Sequence, residues 1–255
     1  MLTKNSTLLK FSNIIAFILT ILVNSLAGSS TLIGGKVTAE ISDANFTIIT
    51  PAGYVFSIWG VIYILLGLFV IFQALPSQKD KDYQNRIGWL FVLSSIFNIV
   101  WLFLWQFEYL VFSVPVMFML LASLIAIYLR LDIGKSKVDS RQRIAIHVPF
   151  STYLGWISIA SIANVATTLV SLNWDGSGIN SETWALLIII VALLLSLIVI
   201  TIRKDVAYSL VIVWAFIGIS AAQTAYENIV TLTQVSAIIV LVALIGIIVI
   251  QKIRK

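Results

Sequence analysis

The sequence predicts an all-α integral membrane protein with eight transmembrane helices, and three observations lead there. First, 60% of its 255 residues are hydrophobic and only 11% are charged, against roughly 45–50% apolar and about 25% charged in soluble domains. The mean hydropathy is accordingly +1.05. Second, eight apolar stretches are long enough to cross a bilayer. Third, the basic residues between those stretches sort almost entirely to one side. A soluble globule, a disordered tail and a nucleic-acid-binding domain are excluded.

A helix rises about 1.5 Å per residue, so a hydrocarbon core of ~30 Å takes roughly 20 apolar residues. The eight stretches are 11–28, 52–75, 87–107, 109–129, 145–171, 184–202, 206–223 and 229–251. Several are apolar all round, as lipid or bundle burial requires. The seventh is among the shortest.

The flanks of each stretch give the orientation. Lys4 and Lys10 precede the first helix, and Lys79, Lys81 and Arg86 separate the second from the third. Arg130, Lys135, Lys137, Arg141 and Arg143 lie between the fourth and fifth, and Arg203 and Lys204 between the sixth and seventh. Lys252, Arg254 and Lys255 follow the eighth. With the N-terminus inside, 15 of the 16 basic residues fall on the cytoplasmic side and only Lys36 outside. Basic loops stay cytoplasmic, so both termini are expected there, in a multi-pass protein of a bacterial cytoplasmic membrane. The excess of 16 Lys and Arg over 11 Asp and Glu records this orientation rather than an anionic partner. A competing reading treats Lys4, Lys10 and Ser25-Leu26-Ala27 as a signal peptide cleaved after Ala27, which leaves seven helices.

The loops and the interior narrow the function. The longest non-helical segment is the outer loop 29–50, and long loops often cover binding sites. The basic loop Arg130–Arg143 is explained by a solvated cytoplasmic turn, with contact to lipid headgroups as the alternative. Every Asp, Glu, Lys and Arg falls in a loop or at a helix end, which argues against carriers coupled to protons or sodium through buried carboxylates. The single histidine, His147, reads as an interfacial residue without a special role, and there is no cysteine. With no acid, base, nucleophile or metal set, no catalytic residue is assigned and no cofactor is required. No phosphate-binding loop is present either, which excludes an ATPase but not a permease subunit served by one.

Tryptophan, tyrosine and asparagine remain as carriers of specificity. Trp59 and Tyr63 are spaced i, i+4 on the second helix and share a face. Asn98, Trp101 and Trp105 form a stripe on the third, and Tyr153, Trp156, Ala160 and Asn164 form one on the fifth. Counting from the outer helix ends, Trp59, Trp101 and Asn164 all lie roughly 10 Å deep. Asn98, Tyr63 and Ala160 lie about a turn deeper. A concave apolar site with a few convergent polar groups suits a flat hydrophobic ligand. Spacing alone leaves helix packing open: Trp105, Trp174 and Trp184 fit an interfacial belt, and Asn hydrogen-bonds between helices. Ser151-xxx-Gly155, Ser158 and Ser161 read as close helix contact.

The same residues carry a family resemblance. Phe56-Ser-Ile-Trp59-Gly-Val-Ile-Tyr63 follows Pro51, and Phe97-Asn98-Ile-Val-Trp101-Leu-Phe lies on the third helix. Pro149-Phe-Ser-Thr-Tyr153-Leu-Gly-Trp156-Ile-Ser-Ile-Ala160-Ser-Ile-Ala-Asn164 is the third piece. In order and spacing, residues 1–174 resemble the tryptophan-rich sensory protein family, also called translocator protein or peripheral-type benzodiazepine receptor. The resemblance implies a five-helix bundle over 1–174, with 175–255 as three additional transmembrane helices. It implies a cavity for tetrapyrroles such as protoporphyrin, lined by Trp59, Tyr63, Asn98, Trp101, Trp156, Ala160 and Asn164. The aromatic–basic stretch that accompanies sterol binding in animal members is missing, since Val-Ala-Thr-Thr-Leu-Val follows Asn164.

The leading expectation is a receptor-like membrane sensor that binds a hydrophobic aromatic ligand in the outer half of the bundle. The alternative is a permease or transport subunit for a neutral or amphipathic solute, with or without a separate ATPase. An enzyme that degrades a bound tetrapyrrole is the third and weakest reading. Helices 184–251, where Trp214, Gln223 and Gln234 are the most obvious polar or ring features, serve packing or, alternatively, dock a protein partner. The expected partners are the bilayer and the aromatic small molecule. Nucleic acid is not among them.

Overall fold

The computed structural model describes residues 3–79 and 81–253. Arg254 and Lys255 lie outside the described residues, as do the side chains of Lys4 and Lys252. Among the described residues no strand occurs, and the fold is all-helical apart from the connecting turns and loops. Eight long helices dominate: α1 (Thr3–Ser29), α2 (Ile58–Ala74), α3 (Leu90–Gln106), α4 (Leu110–Arg130), α5 (Val148–Ser171), α6 (Ser181–Arg203), α7 (Val206–Ala222) and α8 (Glu227–Ile253). Among the described residues, six apolar helical segments are long enough to cross a membrane. The other two helices, α3 and α7, are 17 residues each, or about 26 Å at the helical rise.

Local chemistry sets the boundaries. Gly88, at φ +52, breaks the short helix Asp82–Ile87 from α3. Asn180 accepts the Thr183 amide to cap α6, and Asp205 accepts that of Tyr208 to cap α7, as side-chain oxygens do at helix N-termini. A five-residue π turn, Arg143–His147, feeds α5, and Pro149 occupies its first turn. The loop after α1 differs from the sequence expectation, because Thr38–Ala44 is helical. The Glu40 carboxylate accepts the Val37 amide at 2.9 Å and so satisfies a free donor at that helix start.

The first five helices close a ring in the order α1–α2–α5–α4–α3. Polar side chains stitch it across long sequence separations. Asn13 Nδ2 donates to Gln73 Oε1 at 2.9 Å, and Asn24 Nδ2 to Asn98 Oδ1 at 2.7 Å, tying α1 to α2 and α3. Each such bond between membrane helices contributes about 1 kcal/mol. Helix α7 packs on the outside of α5, and α6 and α8 pack on α7 and on each other. The α5–α7 approach is close because Gly155 faces the Tyr208 backbone; a Cβ there meets the Tyr208 carbonyl oxygen at 3.0 Å. Ser151 Oγ donates to the buried Asp205 carboxylate at 2.5 Å at the same seam. The serine–glycine spacing therefore does serve helix packing.

Candidate functional site

The ring end that carries the loop between α1 and α2 holds a small cavity of about 80 Å³. Four indoles form its wall: Trp59 from α2, Trp101 and Trp105 from α3, and Trp156 from α5. Trp59 and Trp156 meet edge-to-face at 6.1 Å, Phe56 meets Trp156 at 6.0 Å, and Trp101 lies 5.6 Å from Trp105. Offset and edge-on contacts of this kind are the favoured aromatic geometries. They also leave little free space, because the rings largely fill the site.

A buried polar network fixes one side. Trp101 Nε1 donates to Asn164 Oδ1 at 2.7 Å, and Asn164 Nδ2 donates to Ser113 Oγ at 2.9 Å. Three helices are thereby joined, with all three residues buried. Opposite, Trp156 is 3% exposed, yet its Nε1 has no hydrogen-bond partner among the described residues. A buried donor without an acceptor is costly, by about 1–3 kcal/mol, and it belongs to a residue that lines this cavity.

Of the seven expected lining residues and Tyr153, which shares a stripe with Trp156, the ones that line the cavity are Trp59, Trp101, Trp156, Ala160 and Asn164. Tyr63, Asn98 and Tyr153 stand behind it. Tyr63 stacks on Trp59 at 5.7 Å, and Tyr153 meets Trp59 edge-on at 6.1 Å. Asn98 turns its oxygen to Asn24 on α1. Helical spacing places Asn98 on the Trp101 stripe, but its amide oxygen is taken by Asn24 of the neighbouring helix α1.

Trp105 corrects the sequence reading. It is not a belt residue but is 6% exposed, and its Nε1 donates to the Thr38 carbonyl at 3.3 Å. The helical segment of the first loop covers this end of α3, which spacing within α3 does not reveal. His147, at the entry to α5, is buried, with Nε2 unpaired among the described residues.

The cavity has a lid and an added wall. Thr38, Ser42, Thr50 and Pro51 of the first loop cover it. Ile188, Ile189 and Ala192 of α6 and Phe216 and Ile219 of α7 complete it. Helix α7 also clamps the lid. Gln223 Nε2 donates to the carbonyls of Thr47 and Thr50, at 3.3 and 2.9 Å, and Trp214 Nε1 donates to that of Val55 at 3.0 Å. The Ala52 amide reaches the Gly218 carbonyl at 3.0 Å. The contribution of α6 and α7 to the cavity was not legible from their sequence, which shows only apolar residues at those positions.

Among the described residues, no group of three or more His, Asp or Glu side chains is placed to hold a metal ion. What the site offers is flat apolar surface, one amide already engaged by Trp101 and Ser113, and one unpaired indole donor on a lining residue.

Comparison with curated proteins and with solved structures returns no match. A family model described as TSPO-like protein matches residues 10–249. The match runs beyond the motif-bearing first five helices and takes in α6, α7 and most of α8. With it, the apolar helices mark an integral multi-pass membrane protein. The chain belongs to the TSPO-like protein family.

Proposed function

We propose that the protein is a membrane sensor that binds a flat hydrophobic ligand of the tetrapyrrole class between Trp59, Trp101, Trp105 and Trp156. The observation that carries this reading is the unpaired, buried Nε1 of Trp156 within a wall of four indoles. A planar ligand with acceptor atoms at its edge satisfies that donor and stacks on the rings. All eight helices cross the bilayer in this reading, with both termini cytoplasmic and the first loop outside. The protein performs no catalysis, and α6–α8 serve the site and offer a surface for a protein partner.

The volume sets a condition. Small-molecule sites span roughly 300–1,000 Å³, whereas this cavity measures about 80 Å³. Binding therefore selects an open state in which the lid and the indoles move apart. The test is a titration of detergent-purified protein with protoporphyrin, following tryptophan quenching. Saturable quenching at micromolar concentration, lost in Ala160→Phe, supports the reading. Linear quenching that is equal in the variant reflects partitioning into the micelle and overturns it.

A second reading, passage of a neutral or amphipathic solute, draws on one observation. Ile49, Ile162 and Ile188 line both this cavity and a larger one that opens beside α5 and α6. Flux of a solute through the purified protein in liposomes tests it.

A further inference from the structure

A cavity of about 1090 Å³ lies outside the helix ring, between α4 and α5 on one side and α6 on the other. It exists because α6 follows α5 in the chain but packs on α7 and α8. Its walls are apolar, including Phe118 and Ile125 of α4, Ile162 and Leu169 of α5, and Val191 and Leu195 of α6. Phe118, Ile125, Val191 and Leu195 are exposed, so the groove opens sideways, where the bilayer lies. From Ala185 to Arg203 it runs about 27 Å along α6, close to the ~30 Å hydrocarbon thickness.

The two ends differ in charge. At one end Trp174 and Trp184 lie 5.4 Å apart beside the exposed carboxylate Asp175. At the other stand Arg203, Tyr128 and Tyr208. Arg203 Nη1 donates to Asp132 Oδ1 at 2.6 Å, and the guanidinium lies 5.7 Å from the Tyr128 ring centre. Gly134 packs against the Arg203 carbonyl. The turn after α4 thus brings Arg130 and Lys135 to the same end as Arg203 and Lys204. Arg130, Lys135 and Lys204 are exposed. The nearby carboxylates are already engaged, Asp132 with Arg203 and buried Asp205 with Ser151.

We propose that this groove is a binding site for an anionic phospholipid. Its acyl chains lie between α5 and α6, and its phosphate sits at the Arg130, Arg203 and Lys204 end. Basic clusters between membrane helices recognise anionic headgroups, and Asp175 repels them from the opposite end. A partner helix fits less well. A helix is a rigid cylinder ~10 Å across, whereas flexible acyl chains fill an irregular cleft.

The test uses the full chain, delipidated in mild detergent, with equimolar phosphatidylglycerol and phosphatidylcholine bearing the same oleoyl chains. Bound lipid is counted by native mass spectrometry. The wild type is expected to retain phosphatidylglycerol at least fivefold over phosphatidylcholine. Arg130→Gln combined with Lys204→Gln lowers that preference below twofold. Val199→Trp, which fills the groove, loses both lipids; Ala166→Phe on the facing wall replaces it if that variant does not fold. Neither Val199 nor Ala166 lines the indole cavity, so protoporphyrin quenching in these variants separates this site from that one. Equal retention of the two lipids by the wild type overturns the proposal. So does a preference unchanged in the double variant, or undiminished lipid in the folded groove-filled variants.

Discussion

Trp101 donates its indole N–H to Asn164 Oδ1 at 2.7 Å, joining α3 to α5 in the wall of the aromatic cavity. Because Asn164 also engages Ser113, one amide holds three helices in register. The bond lies away from water, so removing one partner strands the other.

Asn164→Leu is therefore expected to destabilise the protein by about 1–2 kcal/mol in detergent. Trp101→Phe removes the donor, and the double variant is expected to cost less than the sum of the singles. Thermal unfolding of all four proteins measures the coupling. Strict additivity means that the bond contributes nothing.

Trp156→Phe is expected to change stability and binding in opposite directions. It deletes a buried donor that has no partner, so the ligand-free protein stays as stable or gains up to about 1 kcal/mol. Protoporphyrin affinity falls at least tenfold, because the edge contact is lost. Paired unfolding and quenching measurements check both signs; unchanged affinity removes Trp156 from the site.

Ala160→Phe places a ring in the cavity of about 80 Å³. Binding is expected to be abolished, while the stability drops by no more than overpacking dictates, about 1–3 kcal/mol. Retained wild-type binding means that the ligand sits elsewhere.

Gly218→Val tests the clamp on the lid. A Cβ at this position collides with Val55 and lies 3.2 Å from Pro51 Cβ. The variant is expected to lose about 1–3 kcal/mol and to become more sensitive to protease within residues 45–52. Protection equal to the wild type means that the lid is held without α7.

The sequence by itself determined the membrane class, the helical segments and the family. The first two follow from composition and from apolar run lengths, and the family from the ordered motifs around Trp59, Trp101 and Trp156. Five of the cavity-lining residues, Trp59, Trp101, Trp156, Ala160 and Asn164, were legible from the family motifs, with helical spacing placing them on shared faces of their own helices.

The tertiary structure alone decided what meets those faces. Asn98 shares a stripe with Trp101 but bonds Asn24, because α1 lies beside α3 in the ring. Trp105 is a wall residue rather than a belt residue, because Thr38–Ala44 folds over it. Ile188 and Phe216 carry no functional mark in sequence, yet they close the cavity because α7 packs on α5 and brings α6 with it. Periodicity assigns a residue to a face of its own helix. Which helix, loop or lipid that face touches depends on packing across separations such as the 159 residues from Trp214 to Val55.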